Sequence, residues 1–271
     1  MDERTLKLTV EYDGTNYVGW QRQAEGISIQ GLLEEALGPF EGGPPTVHGA
    51  GRTDAGVHAL GQVASVRART QHSVATLQRA LNAVLPADVR VVSVEDAPSA
   101  FHARFDAVSK TYEYRIANTP FVSAFEYRYA WHVPGALNVE AMRLGAQALL
   151  GRHDFAAFQS SGGDVHTTER TILSLTVGSD RGQSGVRPGS DRGQTGVRPG
   201  SDEGQTPLVI CVTGDGFLRH MVRSIAGTLV DVGLGRWPAT QVAQILAGRD
   251  RSRAGRAAPA AGLCLVRVDY E

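Results

Sequence analysis

From Thr5 to Tyr12 the chain alternates without a break, with Leu6, Leu8, Val10 and Tyr12 on one side and Thr5, Lys7, Thr9 and Glu11 on the other. That period of two makes a half-buried strand, the signature of a sheet covered on one face only, and such sheets are usually antiparallel. Lys110 to Ile116 repeats the pattern, with Tyr112, Tyr114 and Ile116 on one side. Further strands are predicted at Ala59 to Arg67, Val89 to Val94, Tyr127 to Val133, Thr171 to Val177, Leu208 to Val212 and Leu263 to Tyr270. Helices are predicted from a cap at Ser28 to Leu37, stopped by Gly38-Pro39, and from Ser73 to Leu85, with Leu77, Leu81, Val84 and Leu85 on one face. Three more run from a cap at Asn138 to about Leu150, from Phe217 to Val232 and from Thr240 to Leu246. The order is not a strict strand–helix alternation. It predicts an α+β fold of mostly antiparallel sheets with helices packed on one face. At 271 residues the chain is long enough for two domains. The boundary is placed near Ala107, giving an N-terminal domain 1–107 and a C-terminal domain 108–271.

One segment stands outside this pattern. Gly178 to Pro188 recurs nearly unchanged as Gly189 to Pro199 and begins again at Gly200-Ser201-Asp202. A single valine per full copy leaves almost nothing to bury, so no solenoid forms. The insertion, about 178–206, reads as a mobile loop between two paired strands, tolerable because closure entropy grows slowly with loop length.

Composition narrows the chemistry. A net charge of −1 does not advertise a polyanion partner. Lys7 and Lys110 are the only lysines among 27 basic residues, a bias that suits phosphate contacts but that a GC-rich genome produces equally well. Cys211 and Cys264 lie in apolar strands and read as small buried hydrophobes, not as a disulfide framework. The polar N-terminus runs straight into a strand and no apolar run reaches membrane-spanning length, so a soluble cytoplasmic protein is expected. No P-loop, HExxH, paired CxxC or GxSxG occurs, and no two histidines stand four apart, so no metal is expected.

What remains is a carboxylate. Gly49-Ala50-Gly51-Arg52-Thr53-Asp54-Ala55-Gly56-Val57-His58 has no long apolar side chain before Val57, so Asp54 sits on a glycine-shaped turn. Arg52, two residues away, can pair with it or with a phosphate. An ordinary loop with a surface ion pair is the plain alternative. An aspartate can serve as base, nucleophile or stabiliser of an oxocarbenium-like centre. Three polar clusters suggest RNA. Phe101-His102-Ala103-Arg104-Phe105 and Lys110 to Tyr114 interleave rings and cations, and Gly214 to Arg223 carries Arg219 and Arg223 where a helix opens. Arg249, Arg251, Arg253 and Arg256 form a further basic stretch with one acid, Asp250, and Arg22 lies in the loop rich in aromatics and amides that follows the first strand.

Taken together, Tyr12 to Gln23, Gly49 to His58, Phe101 to Phe105, Lys110 to Tyr114 and Gly214 to Gly227 resemble the tRNA pseudouridine synthase A (TruA) family, in order along nearly the whole chain. The repeat departs from the family pattern as an insertion. The resemblance implies isomerisation of uridine to pseudouridine at positions 38 to 40 of the tRNA anticodon arm, by two α+β domains with a catalytic cleft between them. It also implies a homodimer and no cofactor. It places the catalytic aspartate at Asp54, and at Arg52 the arginine that pairs with it and helps hold the target nucleotide out of the stack. Tyr112 falls on the tyrosine that packs against uracil and is a candidate for moving the C5 proton. Arg223 and Leu263 match pocket-lining positions, and Arg104, Arg22 and Arg219 join them as substrate-binding candidates. Two rival readings are a catalytically silent tRNA-binding protein, separated by whether pseudouridine forms, and an aspartate-dependent nucleoside or glycoside hydrolase, which needs a second acid such as Asp13, Asp106 or Glu113.

Overall fold

The computed structural model describes residues 3–162, 166–179 and 207–271. They form two compact units, Met1–Tyr112 with Cys264–Glu271, and Glu113–Leu263. The expected domains 1–107 and 108–271 differ from these units by a few residues at the boundary and at Cys264–Glu271, which join the first unit.

In the first unit β1 (Arg4–Tyr12) buries every second residue from Leu6 to Tyr12, as its alternation requires. A 3₁₀ turn, Gly14–Asn16, follows, and then α1 (Ile29–Glu41). The Ser28 hydroxyl accepts the Gly31 N–H at 3.2 Å. The helix does not stop at Gly38-Pro39: Pro39 forfeits an N–H only near the end, and Gly42, at φ 74°, closes the last turn. β2 (Val47–Gly49) is a short strand with no period to betray it, followed by β3 (His58–Ala68). Ser73 caps α2 (Val74–Val84), which buries Leu77 and Leu81 but leaves Val84 66% exposed, off the predicted face. β4 (Val89–Ala97) lies along α2, and β5 (Ala107–Ala117) carries the chain across the contact division. β1 pairs antiparallel with both β3 and β4, and β2 adds antiparallel to β3.

The second unit holds β6 (Trp131–His132), α3 (Val139–Gln147), β7 (Gly151–Asp154), β8 (Glu169–Ser179), β9 (Leu208–Gly214), α4 (Met221–Gly233) and α5 (Gln241–Gly248). The strand expected over Tyr127 to Val133 shrinks to two residues, because Glu126 and Tyr129 close local turns on Ser123 and Glu126 carbonyls. α4 begins four residues later than predicted, after His220 takes a left-handed φ of 59°. β8 pairs antiparallel with β7 and with β9, the latter as far as Ser179↔Leu208. Gly178 and Ser179 thus belong to β8, and the rest of the predicted repeat loop, residues 180–206, lies outside the described residues.

β10 (Leu263–Tyr270) matches its prediction residue for residue. It returns to the first unit and pairs parallel with β3 through Cys264↔His58 and Leu265↔Ala59. Gly61 makes this approach possible, since a Cβ there would run into the Val266 carbonyl.

Candidate active site

The Gly49–His58 stretch is held from one side by Tyr17–Trp20. The Trp20 N–H donates to the Thr53 carbonyl at 3.0 Å, the Gly56 N–H donates to the Tyr17 carbonyl at 3.3 Å, and Gly19 and Asp54 form an isolated antiparallel bridge. Asp54 opens a tight turn: its carbonyl accepts the Val57 N–H at 3.1 Å, and Gly56 takes the left-handed φ of 77°. That is the type II arrangement, which glycine adopts without strain. Gly49 is equally constrained, because a Cβ there would fall 2.5 Å from the indole Nε1 of buried Trp20.

Beneath the loop lies a polar network that sequence reasoning did not assign. The Tyr12 and Thr53 hydroxyls meet at 2.8 Å in a buried position. Gln62, fully buried, donates through Nε2 to the Gly51 carbonyl at 2.9 Å and reaches the Tyr12 hydroxyl at 3.5 Å. One amide and one phenol therefore fix the residues on either side of Arg52. The signal was Tyr12 itself, a phenol on the buried face of β1 where its hydroxyl needs a partner.

Tyr112 stands on β5 in the same unit, 7% exposed. A methyl at Gly51 would lie 4.0 Å from its hydroxyl and 3.5 Å from Cε of Lys110. Burial pushes the Tyr112 phenol far above its usual range, and the neighbouring Tyr12, Asp54 and Cys264 push it the same way. Burial also raises the Tyr12 phenol, against the opposing hydrogen bonds from Thr53 and Gln62. The structure thus brings Asp54 and Tyr112 into one electrostatic neighbourhood, with Asp54 half-buried and Tyr112 neutral.

His58, at the far end of the turn, meets the other strand-end loop. Its Nδ1 lies 3.1 Å from the Gly14 nitrogen and 3.1 Å from an Asp13 carboxylate oxygen. The same nitrogen cannot serve both at once: unprotonated, Nδ1 accepts from Gly14, and carrying a hydrogen, in either the neutral Nδ1–H tautomer or the charged ring, it donates to Asp13.

The arginines fare differently. Arg52 is exposed on the loop, where a pair with Asp54 would be open to solvent. In water such a pair is worth at most about 1 kcal/mol, too little to hold a long side chain in place. Arg22 bonds the buried carboxylate of Glu34 at 3.3 Å while remaining 56% exposed. The exposed guanidinium of Arg104 lies 5.8 Å from the centroid of the Phe105 ring.

In the second unit Arg219 donates to the Ser161 carbonyl at 3.0 Å. Arg223 is half-buried: its Nε donates to the Ala258 carbonyl at 2.7 Å, and its backbone carbonyl accepts the Ala258 N–H at 3.0 Å. Gly227, one turn on, lets this segment close on α4, since a Cβ there would strike the Arg256 carbonyl. Burial raises the Tyr114 phenol, and the charges of Arg223 and Arg256 partly oppose the shift. Leu263 is 6% exposed at the start of β10.

Among the described residues no three His, Cys, Asp or Glu side chains converge as a metal site, and no helix is long and apolar enough to cross a membrane.

The family model for tRNA pseudouridine synthase matches residues 8–106 and 146–271. The tRNA pseudouridine synthase A of Syntrophotalea carbinolica is 42% identical over 265 residues, covering 98% of this chain and 96% of that protein. That of Pelobacter propionicus is 43% identical over 267 residues, covering 98% and 100%. That of Geotalea uraniireducens is 42% identical with the same coverage.

Proposed function

The chain belongs to the tRNA pseudouridine synthase family, and we propose that within it Asp54 is the catalytic carboxylate, acting on uridines at positions 38 to 40 of the tRNA anticodon arm. The family fixes the reaction class: the protein is an isomerase that converts uridine in tRNA to pseudouridine. In that reaction the N1–C1′ bond breaks, the uracil turns, and C5 bonds to C1′. C5 then loses its proton and N1 gains one, so no atom enters or leaves overall.

Those steps set the demands on the residues. Asp54 either attacks C1′, holding the sugar as an ester until C5 displaces it, or removes a sugar proton to expel the base. The target nucleotide has to leave its stack first, at a cost of a few kcal/mol that is smaller in a loop than in a duplex. Arg52, with its guanidinium in water on the same loop, is suited to a phosphate of the displaced nucleotide. Tyr112 packs against the uracil. Its phenol begins neutral, so it moves the C5 proton only as a relay, accepting that proton while passing its own to a carboxylate. Arg223, Leu263, Arg104, Arg22 and Arg219 are proposed as RNA-binding residues, and residues 1–107 and 108–271 as two domains. Assembly as a homodimer and a cytoplasmic location complete the reading, on family resemblance.

The observation that carries the assignment is a half-buried Asp54 on a loop pinned by Gly19, Trp20 and Gln62, with the buried Tyr112 hydroxyl close beside Gly51 of the same loop. Its test is Asp54→Asn with an unmodified tRNA transcript. Turnover falls by about 10³-fold or more while RNA affinity stays within about threefold. Pseudouridine formed at near wild-type rate, or at sites outside the anticodon arm, would overturn the proposal.

A further inference from the structure

The first unit carries a second ring cluster that the reaction does not use. His48 on β2 stacks on His102, with centroids 4.9 Å apart and planes 34° apart. His102 stacks in turn on Phe105, at 4.3 Å and 34°. Phe105 ends the stack 74% exposed, with the Arg104 guanidinium beside it.

An exposed phenylalanine on a slack loop would need no explanation. This one is held out by a fixed turn. Ala103 is fully buried; its N–H donates to the Ser65 hydroxyl at 3.0 Å and its carbonyl accepts the Tyr270 hydroxyl at 2.7 Å. The Phe105 and Asp106 N–H groups both donate to the His102 carbonyl at 3.1 Å, and the His102 N–H donates back to the Asp106 carboxylate at 2.9 Å. The Arg104 N–H donates to His102 Nδ1 at 3.1 Å, which fixes the orientation of that ring.

We infer that the outer face of Phe105 is a stacking shelf for an unpaired base of the RNA substrate, with Arg104 taking the adjoining phosphate. The inference rests on tRNA being the substrate. Three features favour a nucleotide over a protein surface. The shelf is a flat ring backed by two further rings, which any base can extend. The charge beside it is a guanidinium, and the one acid of the turn, Asp106, is engaged with the His102 N–H. The stack is also rooted in β2, the strand that leads directly into the Asp54 loop. Burial first, and then His102, hold the His48 imidazole below its usual pKa, which favours the uncharged His48 ring in the stack.

The test measures binding of an unmodified tRNA transcript to the full chain, alongside pseudouridine formation. Phe105→Ala and Phe105→Leu each weaken tRNA binding about tenfold, whereas Phe105→Trp, which keeps a π face, stays within about twofold. The loss falls on KM far more than on kcat. Phe121→Ala, removing another exposed ring (71%), leaves affinity unchanged. Wild-type affinity in Phe105→Ala, or in Phe105→Leu, overturns the inference. So does a change in sedimentation of Phe105→Ala with RNA affinity intact, which would mark the ring as a contact between protein copies. A wild-type chain that binds tRNA but forms no pseudouridine at positions 38 to 40 would sink the proposed function and leave the shelf standing.

Discussion

The hydroxyls of Tyr12 and Thr53 meet at 2.8 Å, and this buried contact ties the end of β1 to the residue immediately before Asp54. The carboxylate therefore owes its position to a phenol on β1 as well as to the glycines around it.

Tyr12→Phe leaves the buried Thr53 hydroxyl and the Gln62 amide short of a partner. It costs about 1–2 kcal/mol of stability and lowers kcat more than it raises KM. Adding Thr53→Val to it costs less than the two single effects combined, because both remove one shared contact. Denaturant titration and the pseudouridine assay check this; strictly additive losses would show that the contact does not couple the two residues.

Gly49→Ala forces a methyl against the Trp20 indole. Overpacking of this kind costs about 1–3 kcal/mol. Trp20→Phe in the same chain relieves part of the cost, which thermal melts of the single and double variants will register. An unchanged melting temperature in Gly49→Ala would mean that the loop yields freely at this point.

Tyr112→Phe slows the steps after glycosidic cleavage, by about 10²-fold if the hydroxyl relays the C5 proton. Because burial raises the phenol's pKa, ionisation of Tyr112 adds no limb to the pH–rate profile of the wild-type enzyme below about pH 10. A rising limb near the ordinary tyrosine value that vanishes in the Phe variant would show a phenolate base instead.

Asp154 accepts the Thr168 hydroxyl at 2.5 Å and the Ala156 N–H at 3.0 Å, and it pairs with Arg249 at 3.2 Å. The Thr168 bond first, and the others after it, hold its carboxyl below the usual range. A depressed folded-state pKa means that the stabilisation is present above the unfolded value of about 4 and is lost as pH falls through the folded value. Asp154→Asn should cost about 1 kcal/mol at pH 7 and almost nothing near pH 2, after allowing for solvent screening of the Arg249 pair. Urea titrations at the two pH values decide; equal losses would contradict the linkage.

Ser179 and Leu208 face each other across the β8–β9 ladder, so the strands can be joined by a two-residue turn. Replacing residues 180–207 with Asn-Gly leaves stability and tRNA pseudouridylation within about twofold. Failure of that chain to fold or turn over would give the repeat a role beyond linking two strands.

Much of the fold was legible because its signals are local. The apolar run of β10 located that strand, and Ser28 and Asn138 each accept an N–H from their helix as their sequence context suggested. β2 and β7, at three and four residues, are too short to show a period. Tyr127 to Val133 has strand-like composition, but turns between Ser123 and Tyr129 prevail. Around Asp54, the turn and its glycine were readable. The Tyr12–Thr53–Gln62 network was not, since it exists only once the β1–β3 register puts Val10 opposite Gln62 and Tyr12 opposite Ala59. The Arg22–Glu34 bond likewise depends on α1 presenting a buried carboxylate that no local pattern reveals.

The parallel pairing of Cys264 with His58 also bears on the order of events at the ribosome. The strand beside the Asp54 turn is encoded beyond the whole of the other unit, so a nascent chain that has emerged only as far as α5 still lacks one wall of its catalytic half. Polypeptides interrupted before β10 should therefore be unable to mature that half, however well their earlier segments have folded.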